Sequence, residues 1–564
     1  MIKSLHAILI ISFFFSSEML CQELQLKITG KDSLETKTID SIRYEKYHRD
    51  FESISNELTI FRKKLNTLGY IESKMSPIKK EDSIFNARFS LNTKYNYLNI
   101  FFTDSLVSRK ILEKLSNNIS EGQFSIPIED TERVLTAINL KLSENGDPFS
   151  TLKLSDITIN NKGEIDATLI RSEKTQVRRI DKVIIKGYEK FPKSFLKHYL
   201  KIKEQQVFNL TQIKKQITDL NELNFARQLK DPEVLFTKDS TTLYVFIEKV
   251  KSNNFDGFIG FGTNEETNNI EFSGYLNLEL NNNLNYGESF RLVYKSDEND
   301  QKNFLVNLNL PYLFNSPIGT ELELSLLKKD SSFSTVNQNA KLFYQINPKN
   351  KVFVGIRSIK SNNLLDSLYS NPTIQDYTST FYNVRYLYRK RQKDNMLFNT
   401  KTLLDVQFET GNRTFEKQDT KQQQLALDAY HIFNLNQKNN IYLRGTGFGL
   451  FSDTYFENEL ARFGGINSIR GFEENSLSAT QFGVINTEYR YVFNNSIYIH
   501  TIIDFAYLEN KLIAQKEKLY SFGFGFGLIT KAGLLKFNFA NGKNENQTFK
   551  FSNSQVHLSL TAFF

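Results

Sequence analysis

From about Asn254 to the end of the chain, apolar and polar residues alternate, and this period of two constrains the fold more than any other feature. In "FSGYLNLEL", Phe272, Gly274, Leu276, Leu278 and Leu280 share one face. In "TELELSLL", Leu322, Leu324 and Leu326 oppose Glu321, Glu323 and Ser325. In "SFGFGFGL", Phe522, Phe524, Phe526 and Leu528 oppose serine and glycine, and the chain closes on "VHLSLTAFF". Successive side chains of a strand point to opposite faces, so every such segment is a strand with one apolar face. A soluble sandwich or propeller would give the same alternation, with the apolar face turned inward. About sixteen segments fill 255–564, an even number, as a bacterial membrane barrel requires. Connectors alternate as well: "NNNLNYG", "NPKN", "FNNS" and "TKAG" are short, whereas "KSDENDQK", "KKDSSFSTVNQN" and "SNNLLDSLYSNPTIQDY" are longer and polar. Short inner turns and long outer loops give that rhythm. The expectation is a transmembrane antiparallel β-barrel of about 16 strands. A mean hydropathy of −0.41 does not oppose it, because alternation averages to a soluble score.

The opening of the chain fits export. "MIKSLHAILIISFFFSSEMLC" places Lys3 before an apolar run from Ala7 to Phe15, the layout of a signal peptide over 1–21. Cys21 is the sole cysteine. It stands at the expected cleavage point as a candidate for lipidation, although Glu18 and Leu20 fit that signal poorly. A mature chain without cysteine excludes disulfides and thiolate metal sites. No later run is long and apolar enough for a transmembrane helix. The net charge of +8 is spread along 564 residues rather than clustered, which argues against nucleic acid as a partner.

Residues 24–250 mix helices with short strands. "RRIDKVIIKGYEKF" reads as a strand, "PKSFLKHYLKI" as a helix opened by Pro192, and "NLTQIKKQITDLNEL" as a helix capped by Asn209. "VLFTKDSTTLYVFIEKV" reads as a hairpin. The order β-α-α-β-β recurs upstream in "NYLNIFF", "LVSRKILEKLSNN", "IEDTERVLTAINLKLSENG", "TLKLSDITIN" and "EIDATLIRSE". It recurs again, with its first helix hard to place, in "LQLKITG", a helix from about Asp50 to Leu68, and "FNARFSL". A repeated supersecondary unit marks an array; three unrelated small α+β domains are the plainer alternative. The unit resembles the POTRA domain, the third copy most of all. The expected divisions are 22–95, 96–176 and 177–252 for the repeats and 253–564 for the barrel.

One stretch interrupts the strands. "RFGGINSIRGF" sets Gly464 and Gly465 before Arg470, Gly471 and Phe472, ahead of "GVINTEYRYVF" and "IYIHTIIDFAY". With "NLPYLFNSPIGTELEL" and "SFGFGFGLITKAGLLKFNFANG", it resembles the BamA/TamA superfamily of outer-membrane assembly factors, whose members carry POTRA repeats before a sixteen-stranded barrel. The resemblance spans the mature chain. It implies that the loop folds into the barrel and that Arg470 meets Glu488 and Asp504 on the inner wall. Ile469 stands where the superfamily commonly has valine. Parity agrees: Ile485, Thr487, Tyr489, Tyr491 and Phe493 read as lipid-facing, and so do Ile497, Ile499, Thr501, Ile503 and Phe505, which turns Glu488 and Asp504 inward. An arginine fork bridges two carboxylates better than lysine does. Ordinary solvated lumen carboxylates are the alternative.

No nucleophile elbow, P-loop or histidine metal spacing occurs among the six histidines, so no enzyme activity and no cofactor are expected. The resemblance implies a non-covalent role: inserting or exporting β-rich client proteins by strand addition at a lateral barrel seam and at POTRA edges. The seam would set Gly257, Gly260 and Gly262 of "NFDGFIGFG" against Val556, Leu558, Leu560 and Phe564 of the last segment. Glycine weakens strands, which suits such a seam. Implied partners are unfolded outer-membrane or secreted clients and outer-membrane lipid, with periplasmic chaperones, accessory lipoproteins or an inner-membrane protein docking on the repeats. Three copies point to the TamA branch. A two-partner secretion transporter moving one exoprotein, and a passive porin or receptor, are the alternatives.

Overall fold

The computed structural model describes residues 23–563 except 104–106, 108, 173–175, 264–269, 297–300, 366–371, 393–394, 396, 532, 546–550 and 552–553. The expected signal peptide, Cys21 and Phe564 lie outside the described residues. The chain divides into two compact units, 1–178 with 207–210, and 179–206 with 211–564.

The first unit holds two sheets. In the first, Leu24–Thr29 runs parallel to Ile84–Ser90, pairing Leu26 with Phe85. Helices Ser33–Ser41 and Phe51–Thr67 pack Ile39, Ile54, Phe61 and Leu65 onto Leu26, Ile28 and Phe89. Ser33–Ser41 is the helix that the sequence left unplaced. It buries only Ile39, so it shows little periodicity; its start is fixed instead by Asp32, whose carboxylate accepts from Leu34 N and Glu35 N at 2.9 and 2.8 Å. In the second sheet, Tyr97–Phe101 and Ile165–Arg171 are parallel neighbours. The helix expected over "LVSRKILEKLSNN" is confined, among the described residues, to Arg109–Leu112. Ser116 Oγ then donates to Ser125 O at 2.7 Å and accepts from Asn118 N at 3.1 Å. That local bond turns the backbone into a hairpin, Asn118–Ser120 with Gln123–Pro127, which the sequence reading did not foresee.

The second unit opens with a third sheet. Thr241–Lys249 lies at its centre, parallel to Lys182–Gly187 and antiparallel to Ala226–Gln228 and Glu233–Phe236. Leu210–Thr218 is α-helical, but Phe195–Tyr199 forms a π turn in which Leu200 N donates to Phe195 O at 2.9 Å. The wide turn keeps Phe195, Leu196, Tyr199 and Leu200 buried together.

Sixteen strands then close into a barrel among the described residues. Strands one to eight are Asn254–Thr263, Ile270–Asn281, Ser289–Ser296, Lys302–Leu310, Ile318–Lys329, Phe333–Asn347, Asn350–Asn363 and Tyr377–Arg391. Strands nine to sixteen are Thr400–Phe415, Gln418–Asn434, Asn439–Phe451, Gln481–Asn494, Ile497–Asn510, Gln515–Ile529, Leu534–Asn544 and Ser554–Phe563. The apolar parity faces outward: Phe524 is 58% exposed whereas Ser521 of the same strand is 0% exposed. Leu324, Val384, Ile503 and Leu558 are likewise exposed, and Glu321, Asn383, Asp504 and Asn538 are buried inside. An apolar outer belt around a polar bore is stable only in a bilayer, and closure leaves no unpaired edge in lipid. Among the described residues no helix could cross a membrane.

One connector departs from expectation. "KKDSSFSTVNQN" is not a long loop: strand five runs to Lys329 and strand six starts at Phe333. Asp330 takes the left-handed conformation and accepts from Ser332 N at 2.7 Å, making a tight turn. The polar residues after it belong to the strand, where Phe333, Thr335 and Asn339 turn inward.

Candidate functional site

Loop six, 452–480, leaves strand eleven at Phe451 and rejoins the wall at Gln481. A short ladder, Ala461–Phe463 with Leu477–Ala479, forms its stem. Above the tip, Gly464 and Gly465 take φ of 114° and 90°, values that side chains disfavour. A Cβ on Gly464 would stand 2.5 Å from Glu473 O. The chain therefore doubles back within the stem and sends residues 466–472 along the inner wall.

Arg470 lies at the end of that path and is 4% exposed, beside Glu488 at 7% and Asp504 at 2%. Its Nε and Nη2 donate to the two oxygens of Asp504 at 2.8 and 2.5 Å, and its backbone N donates to Oδ2 at 3.0 Å. Nη1 donates to Glu488 Oε1. Glu488 Oε2 also accepts from Arg490 Nε at 2.7 Å. Two arginines thus face two carboxylates, so the buried cluster is neutral as a whole. Gly471 approaches strand fifteen so closely that a Cβ would stand 2.5 Å from Gly542 N. Phe472 packs beside Ile469, Phe463, Val484 and Ala506.

Several further residues hold the loop through contacts that had no signal in the sequence. Asn486 Nδ2 donates to Ser468 O at 2.7 Å, and Arg444 Nη1 to Asn467 O at 2.9 Å. Gly542 clears space for the Phe472 ring, whose Cε2 would lie 2.6 Å from a Cβ there. Arg490 stacks between Phe398 and Tyr442, at 4.4 and 4.2 Å from their centroids. The inward parity of Asn486 and Arg490 was legible, but their contacts depend on where the loop lands.

The candidate seam is a separate place. Strand one pairs with strand two along its length, from Asn254–Glu279 to Thr263–Ile270. Against strand sixteen it pairs only Asn254 with Phe563 and Phe255 with Ala562 among the described residues. Gly257, Gly260 and Gly262 pair with Leu276, Ser273 and Glu271 of strand two, not with strand sixteen. Val556, Leu558 and Leu560 pair with Phe539, Phe537 and Leu535 of strand fifteen and turn their side chains outward. The glycines and these residues are therefore not partners in the closed barrel. Gly257 does need its hydrogen, because a Cβ would stand 2.4 Å from Tyr275 O.

The POTRA family, described as surface antigen variable number repeat, matches residues 178–249. No curated protein matches the chain in sequence. Among solved structures, CdiB from Escherichia coli aligns at 12% identity and TM-score 0.51, covering 90% of this chain and 98% of its own. CdiB from Acinetobacter baumannii aligns at 14% and 0.50, covering 77% and 82%. BamA from Haemophilus ducreyi lacking POTRA domains 1-3 aligns at 14% and 0.49, covering 82% and 99%.

A POTRA domain followed by a closed sixteen-strand barrel with an outward apolar belt defines the class, a POTRA-bearing outer-membrane β-barrel protein. The likeness to the two CdiB structures, at 12 and 14% identity, is a likeness of that fold.

Proposed function

We propose that this protein is an outer-membrane assembly factor of the TamA-like kind, which inserts or exports β-rich clients. The observation that carries the reading is the seam. Among the described residues every other neighbouring pair in the barrel makes a longer ladder than the one between strands one and sixteen. A ladder that short costs little to part, and parting it exposes two strand edges to an incoming client strand. The repeats, read as three POTRA copies in the periplasm, receive extended clients at their sheet edges. The role is non-covalent, with neither cofactor nor catalytic residue. Clients, lipid and accessory proteins docking on the repeats are its partners.

Likeness to CdiB as well as BamA supports a second reading, a secretion transporter for one exoprotein. Depletion followed by quantitative outer-membrane and secreted proteomics separates them. The assembly reading expects a fall in several unrelated barrel proteins. Loss of one secreted protein alone favours the transporter, and an unchanged proteome favours a passive pore and overturns both.

A further inference from the structure

A second buried ion pair binds loop six, on strand nine rather than on strands twelve and thirteen, and with the charges reversed. Here the wall supplies the arginine. Arg413, on strand nine, has its guanidinium buried, and Nη1 donates to Glu459 Oε1 at 2.7 Å. Nη2 donates to Thr454 Oγ1 at 2.5 Å, and the guanidinium lies 4.0 Å over the Phe456 ring. Glu459 also accepts from Phe456 N at 2.8 Å and from Gln422 Nε2, on strand ten, at 3.0 Å. Next to it, Asn458 Nδ2 donates to Ser361 Oγ of strand seven and to Gln375 O in the loop between strands seven and eight, each at 2.8 Å. Glu457 N donates to Thr373 O of that loop at 2.8 Å.

The outer arm of the loop, 454–459, is thus bonded to the rim over strands seven to ten. Further along the same loop, Arg462 sits 5.3 Å over Phe333 of strand six, Glu474 pairs with Lys295 of strand three at 3.4 Å, and Arg470 joins strands twelve and thirteen. A segment bonded to strands three, six, seven, nine, ten, twelve and thirteen spans much of the barrel's circumference. Between the outer arm and the tip stand Gly464 and Gly465, a place where the backbone can swivel.

We propose that Arg413 and Glu459 form the latch of an outer lid, which opens by releasing the arm while Arg470 keeps the tip seated. Arg413 is a positioning residue that acts through the loop.

The test uses the full chain, in planar bilayers and in intact cells. Glu459→Gln keeps the side chain's size and removes its charge. It should raise the time spent in open-conductance states by about tenfold, the effect of losing one charged hydrogen bond on a two-state equilibrium. It should also expose the bond after Arg462, whose side chain is buried, to trypsin added outside cells. If Glu459→Gln does not yield a heat-modifiable barrel, Ser361→Cys with Asn458→Cys decides instead, the chain having one native cysteine, Cys21. Oxidation should then suppress spontaneous openings and reduction restore them. Wild-type conductance and protection in a folded Glu459→Gln barrel, or openings indifferent to the crosslink, would overturn the latch.

Discussion

Arg470 spends its donors unequally. Three of its bonds go to Asp504, while Glu488 keeps a second partner in Arg490. Substitutions should therefore differ in severity. Arg470→Ala leaves a buried Asp504 carboxylate without its cation and is expected to cost about 3–5 kcal/mol. Asp504→Asn should follow closely, and Glu488→Gln should be the mildest, since Arg490 can still meet the amide. Thermal loss of the heat-resistant gel form ranks the three; a Glu488→Gln effect equal to that of Arg470→Ala would contradict the geometry. Parity alone put Glu488 and Asp504 on the inner wall, because a strand's period leaves no choice once its outer face is apolar. It could not rank them, because the ranking depends on how the guanidinium plane arrives.

Elements differ in how openly the sequence declares them. Phe51–Thr67 buries Ile54, Leu58, Phe61 and Leu65 on one stripe and was legible. Ser33–Ser41 was not, because one buried residue makes no stripe and its stability leans on the Asp32 cap. Asp32→Ala is expected to cost about 1 kcal/mol. Faster amide hydrogen exchange should appear within 33–41 and not within 51–67; uniform exchange would mean that the cap is dispensable. At the seam, Phe255→Cys with Ala562→Cys joins two directly paired residues. Oxidation should block client insertion and reduction should restore it, whereas insertion through a crosslinked seam would rule out lateral opening there. The glycines of strand one were legible as a weak strand. Their true partners in strand two were not, because register is a property of the closed barrel.

At the scale of the molecule, the third repeat and the barrel belong to one compact unit. Tyr188 OH donates to Asn285 at 2.7 Å and accepts from Asn282 at 2.8 Å, both in the turn after strand two. Phe195 meets Tyr312 edge-on at 4.9 Å, His198 Nε2 lies 2.8 Å from Asn315 O, and Glu222 accepts from Arg391 N at 2.9 Å. Successive inner turns are thus bound to one repeat. Gly287 fits because it takes φ of 78° and because a Cβ there would stand 2.0 Å from the Phe195 ring. Gly287→Ala should displace Phe195 at a cost of about 1–3 kcal/mol. Proteolysis between repeat and barrel should quicken while heat-modifiability persists; unchanged protection would show that the turn contact does not hold the repeat.

The sequence by itself determined that 255–564 is a succession of strands, each with one apolar face, which residues share that face, and that α+β units precede them. These follow from local periods of two and 3.6 residues, which any short window displays. Only the tertiary structure decided that strands one and sixteen meet over so short a ladder, that "KKDSSFSTVNQN" is mostly strand, and that Arg413 of strand nine meets Glu459 of loop six. Those contacts join residues far apart in the chain, and their energies exist only once closure has fixed which side chains share a space.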